Sequence, residues 1–155
     1  MAGRTVSFVV PGDPVPQPRP RVCRRGHGIA TFTPDNGILA YRQAVALCAI
    51  AAGARATTAA PLEFRVEFVF QRPPSHFHTS KARRGELKET ARPLPRCDSS
   101  NCLKGLEDAL NGIAYVDDSQ IGRHIIERRY ARRGEAPCTS VTITEETNDA
   151  QAVKP

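Results

Sequence analysis

The chain has 155 residues, the length of one ordinary domain, with 40% hydrophobic residues and no Trp, so it supports a single core of modest volume in two layers. Lys plus Arg outnumber Asp plus Glu by 22 to 16, and arginine dominates the excess. That composition favours polyanionic partners, because the planar guanidinium donates in pairs to phosphate. No apolar run reaches the ~20 residues of a membrane span, the N-terminus has no signal-peptide pattern, and the five cysteines lack a framework spacing, so reduced thiols in a cytoplasmic protein are expected.

The first predicted element is a strand over Thr5–Val10, stopped by Pro11 and Gly12. Five prolines between Pro11 and Pro20 then remove backbone donors and predict an extended, exposed path from which Arg19, Arg21, Arg24 and Arg25 project. Gly26 and Gly28 allow a turn, and Ile29–Thr33 reads as a short strand, the second arm of a hairpin. Thr33 or Asp35 is placed to cap a helix over roughly Asp35–Ala52, in which Ile38, Tyr41, Val45, Cys48 and Ala49 recur at spacings of three and four. Leu62, Phe64, Val66, Phe68 and Phe70 alternate through Pro61–Gln71, the period of a half-buried strand.

From Arg72 to Arg96 periodicity disappears, and four prolines with Lys81, Arg83, Arg84, Lys88 and Arg92 predict a long, mobile, basic loop. A helix is predicted over Ser99–Asn111, ended by Gly112, with Cys102, Leu106, Ala109 and Leu110 on its apolar side. Strands at about Gln120–Tyr130 and Thr139–Thr144 close the domain. The order predicts a single α+β domain over residues 1–145, a mixed sheet of about four or five strands with two main helices on one face, and a flexible tail over 146–155.

The chemistry is concentrated in RCDSSNCLKGLEDALNGIAYVDDSQI, residues 96–121. An acid stands before the helix, a lysine about one and a half turns inside it, and two adjacent aspartates soon after its end. Such a pattern suits Mg²⁺, which takes hard oxygen ligands, together with a lysine that stabilises charge on a phosphate. On residue types alone, Asp98 serves equally as a helix N-cap, Lys104 and Asp108 as a four-apart surface pair, and Asp117-Asp118 as a polar turn.

The segment resembles the active-site region of the RusA family of crossover-junction endodeoxyribonucleases, whose pattern is Asp-x-Asp-Asn-Leu-x-Lys, then Asp-Ala-Leu, Asn-Gly and Asp-Asp-Ser-Gln. Here it stands as Asp98-Ser-Ser-Asn101-Cys-Leu-Lys104, Asp108-Ala-Leu-Asn111-Gly112 and Asp117-Asp118-Ser119-Gln120. PGDPVPQPRPR, Thr33-Pro34 and Tyr41 follow the family order as well. The resemblance implies catalytic roles for Asp98, Lys104 and Asp118, with Asp98 and Asp118 binding metal and Asp117 assisting. It also implies Mg²⁺ (or Mn²⁺) as the only cofactor, four-way DNA junctions as substrate, and a homodimer with no membrane partner. Arg19, Arg21, Arg24, Arg25, Asn101, Arg128 and Arg129 are the candidate DNA contacts.

Ser100 departs from the pattern, standing where the family has a second metal-binding Asp. Helical spacing puts Lys104, Glu107, Asp108 and Asn111 on the face of Ser100, so Glu107 or Asp108 is a candidate replacement ligand, although Asp108 can equally pair with Lys104. A DNA-binding remnant without cleavage is the alternative. Zinc at His76, His78, Cys97 and Cys102 is set aside on spacing, and His124 reads as a surface histidine more readily than as a phosphate contact.

Overall fold

The computed structural model describes residues 3–57 and 60–146, so the predicted tail beyond Glu146 lies outside the described residues. In chain order the elements are β1 (Thr5–Pro11), β2 (Arg21–Arg25), β3 (Gly28–Phe32), α1 (Ile38–Ala51), β4 (Leu62–Phe70), α2 (Ser99–Leu110), β5 (Ile121–Tyr130) and β6 (Cys138–Glu145). Four strands form a mixed sheet in the order β1-β6-β4-β5, in which only the β4–β5 pair is parallel. The α+β expectation holds.

The alternation in β4 fixes the layers. Phe64, Val66 and Phe68 are buried and register with Ile143, Val141 and Thr139 on β6, and these with Val6, Phe8 and Val10 on β1. Both helices cover this one face, α1 through Ile38, Tyr41, Val45 and Ala49, and α2 through Cys102, Leu106, Ala109 and Leu110. Tyr41 reaches through the core to the fully buried Thr139, hydroxyl to hydroxyl at 2.7 Å, and burial pushes its phenol up to about 12 against the counteracting bond from Thr139. The opposite face is polar: Ser7, Thr142, Glu67, and Arg129 held by Glu67 at 2.6 Å and Glu135 at 2.7 Å.

Three expectations are corrected. First, α1 starts at Ile38, not Asp35: Asp35 accepts the Gly37 amide at 2.9 Å, and Gly37, with φ of 84°, is the N-cap in place of Thr33 or Asp35. Second, the proline-rich segment is extended but not exposed throughout. Pro14 is buried, the Gln17 amide donates to the Asn101 carbonyl at 2.9 Å, and Asp13 accepts the Gln71 amide at 2.6 Å, so the segment is a strap across α2. Gly105 permits that crossing. A Cβ there would lie 3.0 Å from Ile38 Cδ1 and within 3.6 Å of the strap backbone at Val15 and Gln17.

Third, the cysteines are not all thiols: Cys97, just ahead of α2, and Cys102, in its second turn, form a disulfide, while Cys23, Cys48 and Cys138 are free. The sequence assigned Cys102 to the core on its apolar position, and it is buried as well as bonded. Residues 72–96, predicted as a loose basic loop, are irregular but tied down. Arg72 stacks 4.4 Å above the Tyr130 ring, Lys88 donates to the Ser75 carbonyl, and Arg83 is paired with Glu86 and Glu89.

Beyond the strap, β2 and β3 form a separate two-stranded ribbon closed by Gly26-His27, with Gly26 at φ of 63° as a two-residue hairpin turn requires. Its side chains are exposed, and no acid occurs from Pro14 to Pro34.

Candidate active site

Helix α2 carries the motif, and its two ends are built differently. At the N-terminal end Asp98 is the N-cap, its carboxylate accepting the Ser100 amide at 3.1 Å. The cap reading holds for this residue: one oxygen caps while the other accepts from Arg19 at 3.0 Å. Arg128 of β5 donates to the Cys97 carbonyl, which fastens this end of the helix to the C-terminal half of β5. Arg92, Arg96 and Arg128 line a cleft of about 530 Å³ alongside. The end is cationic around one carboxylate.

At the C-terminal end the chain turns at Gly112, where φ is 78°, and the buried Tyr115 donates its hydroxyl to the Glu107 carbonyl at 2.9 Å. Burial first, then the charges of Glu107, Asp118 and Asp108, push the Tyr115 phenol far up, which reflects the clustering of acids here. Glu107 itself is bound by His124 Nε2 at 2.6 Å. Asp117 and Gln120 form a reciprocal capping box, and bonds from the Ser119 hydroxyl and amide hold the Asp117 carboxyl below its usual range. Gln120 also donates to the Thr57 carbonyl, fixing this turn at the start of β4 and β5. Asp118 is exposed.

Asp98, Lys104, Asp117 and Asp118, close together in sequence, are divided between the two ends of α2. Asp98 is level with Arg128, Glu107 with His124, and those two β5 residues are four apart, about 13 Å along the strand. Among the described residues no three His, Cys, Asp or Glu side chains gather where they could hold one metal ion. Lys104 lies exposed between the ends. Asp108 pairs with Arg42 at 2.5 Å and not with Lys104.

Of the candidate DNA contacts, Arg19 lies on the strap, and Arg21, Arg24 and Arg25 on the ribbon, all exposed. Asn101 is half-buried under the strap. Arg128 faces the helices, whereas Arg129 is on the opposite sheet face with its guanidinium held by Glu67 and Glu135. Sequence reasoning missed the Glu107–His124 pair. The signal available was the β5 alternation, which puts His124 with Ile126 and Arg128 on the helix side.

The model of the family described as endodeoxyribonuclease RusA matches residues 11–144, from the strap through all but the final residue of β6. The chain belongs to the RusA family of endodeoxyribonucleases. It is also similar to the uncharacterized protein YqaN of Bacillus subtilis (strain 168), 31% identical over 140 residues that cover 90% of this chain and 96% of that protein. The RusA match includes both ends of α2, so the residues carrying the motif and those positioning it fall within the matched segment. No helix among the described residues is long and apolar enough to cross a membrane.

Proposed function

We propose that this chain is a cytoplasmic, structure-selective DNA endonuclease that resolves four-way (Holliday) junctions in recombination, repair or phage DNA processing. It leaves a 5′-phosphate and a 3′-hydroxyl and depends on Mg²⁺, for which Mn²⁺ substitutes. The observation that carries the reading is the Asp98–Lys104–Asp117-Asp118 series on and around α2 in a chain of an endodeoxyribonuclease family. In this reading Asp98 and Asp118 are the principal metal carboxylates with Asp117 and Glu107 beside them, and Lys104 stabilises charge at the scissile phosphate. Arg19, Arg21, Arg24, Arg25, Asn101 and Arg128 hold the DNA, with the charge of the strap and ribbon neutralising backbone phosphates.

The fit to a metal is incomplete in one chain. Ser100 supplies no charge, Arg19 occupies an oxygen of Asp98, and the remaining acids stand at the other end of α2. No catalytic step through the metal is therefore derived from a single chain. The experiment is cleavage of a labelled four-way junction, a flap and a plain duplex with Mg²⁺, Mn²⁺ or EDTA. Preferential cutting of the junction with either metal is expected, and equal cutting of the duplex would remove the structure selectivity.

A second reading is a junction-binding protein that does not cut. Ser100 and the internal pairing of Asp98, Glu107 and Asp108 with Arg19, His124 and Arg42 favour it. Binding of the junction in EDTA with no cleavage after addition of either metal would establish it in place of the first.

A further inference from the structure

We propose that the cleft at the C-terminal ends of β4 and β5 is a nucleotide-binding site, holding one unpaired nucleotide of a DNA strand that passes the Asp98 end of α2. This rests on the DNA binding common to both readings above and names the part of the substrate that the cleft takes. The cleft measures about 790 Å³, within the roughly 300 to 1,000 Å³ of sites that take small organic ligands. Its floor is made where the two parallel strands end. Gln71 and Arg72 follow β4, Tyr130 closes β5, and the Ala131 amide donates to the Phe70 carbonyl at 2.8 Å. The facing wall is a clip in the irregular segment. Phe77 and Leu87 pair across an antiparallel bridge, the His78 amide donates to the Glu86 carbonyl at 2.8 Å, and Gly85 turns the chain at φ of 84°. Bridge partners stand side by side, so the clip presents two apolar side chains together, the half-buried Phe77 and the 48% exposed Leu87.

The remaining lining is cationic. Arg84, Arg132 and Arg133 line the same cleft, are exposed, and pair with no acid among the described residues. The two carboxylates at the wall are already engaged, Glu86 by Arg83 at 2.7 Å and Glu135 by Arg129 at 2.7 Å, and take no part in binding. Arg72 is also fixed, stacked on Tyr130 and donating to the Arg92 carbonyl. Apolar side chains beside unpaired guanidinium groups fit a molecule with a flat π-face and an attached anion, which is the chemistry of a nucleotide. Within a duplex each base has its faces covered by its neighbours. Only an unpaired, unstacked base can lie against Phe77.

The cleft is continuous with the Asp98 end. Gln71 and Tyr130 line both it and a neighbouring cleft of about 480 Å³, which also includes His76, Arg92, Arg96 and Cys97. Arg92 and Arg96 in turn line the Arg128 cleft beside Asp98. Tyr130 stands two positions beyond Arg128 on β5, about 7 Å along the strand. A DNA strand held at Asp98 is thus led past arginines to Phe77. Charge selects the polyanion, and the apolar wall admits only its unpaired part. A junction whose arms open at the crossover offers such a nucleotide and an unbroken duplex does not, so the cleft contributes to structure selectivity.

The test is fluorescence anisotropy in EDTA, with labelled oligothymidylate and a blunt duplex of the same length. Phe77→Ala is expected to weaken oligothymidylate binding about 10-fold and duplex binding less than about twofold, with Phe77→Tyr close to the wild type. The double variant Arg132→Ala/Arg133→Ala is expected to lose oligothymidylate more than duplex and to lower the slope of log Kd against log salt by about 1. Its changes fall on exposed side chains, so it carries the test where Phe77→Ala loses its far-UV circular dichroism. Equal loss on the two DNAs, or no loss, overturns the inference. Thymidine 5′-monophosphate that displaces the oligomer at equal nucleotide concentration also overturns it, in favour of a site for free nucleotides. Oligoglutamate that does the same would make the cleft a site for acidic peptides. A wild-type chain that binds neither DNA removes the DNA reading as well. One that binds in the expected pattern yet cuts no junction removes the endonuclease reading and leaves the cleft assigned.

Discussion

The two ends of α2 are fastened with opposite chemistry. At the N-terminal end a carboxylate caps the Ser100 amide and accepts from Arg19, with Arg92, Arg96 and Arg128 lining the cleft alongside. At the C-terminal end a buried phenol gives the Glu107 carbonyl a second donor beside the Asn111 amide, and the acids stand around it with a single histidine. The difference shows that the charged residues of the motif first build the helix ends, and that their electrostatics follow from where those ends sit on the sheet. A motif that is continuous in sequence thereby becomes two patches of opposite sign.

The sharpest way to break this comparison is to neutralise one end at a time. Asp98→Asn and Asp118→Asn are expected to reduce junction cleavage by at least about 10²-fold each, with junction binding in EDTA unchanged; retention of cutting by either variant would detach that end from the chemistry. Lys104, between the ends, is the next largest. Lys104→Ala is expected to cost about 10²-fold in single-turnover rate, with partial recovery in Lys104→Arg. A loss of binding equal to the loss of rate would instead make it an ordinary phosphate contact.

Structural effects are smaller. Tyr115→Phe removes one of the two donors to the Glu107 carbonyl, the Asn111 amide at 3.0 Å remaining, and is expected to cost about 1 kcal/mol in urea unfolding, and the Mg²⁺ concentration for half-maximal cleavage should rise because Glu107 shifts with its backbone. Stability unchanged within error would mean that the acidic end is held by the Asn111–Tyr115 turn alone. The smallest effect lies on the far face of the sheet. Bonds from Arg129, and then from the Arg132 amide, hold Glu135 at about 2, against 4.5 for the free group. A depressed carboxyl stabilises the fold above its unfolded value, and that stabilisation is lost as pH falls from about 4.5 toward 2. Glu135→Gln should therefore flatten the acid limb of the Tm-against-pH curve in that window and leave cleavage at neutral pH unaltered.

Much of the fold was legible because its signals are local. The alternation of β4 reports a sheet face, and the Asp98 cap and Gly112 bracket α2 within a residue or two. Where reading failed, the decisive contact was remote. The start of α1 moved because the Asp35 side chain builds a turn onto Gly37 before the helix begins. The strap looked exposed because nothing in its prolines announces the Gly105 backbone it crosses. The candidate site residues are picked out by type, but their division is not legible, since a helix carries its ends about 18 Å apart and only the register on β5 reveals that the returning aspartates stay at the far end. His124 passed as a surface residue because its partner is 17 positions away.

The order β1-β6-β4-β5 has a consequence for how the chain is made. The first strand pairs along its whole length with the last, Thr5 opposite Thr144, and that last strand is an interior one, flanked by β1 and β4. Until Cys138–Glu145 has left the ribosome, β1 has no neighbour and one edge of β4 is open, so the sheet forms late and through contacts up to 139 positions apart in sequence. A truncation before residue 138 would not shorten this protein at one margin; it would remove the strand that joins its beginning to its middle.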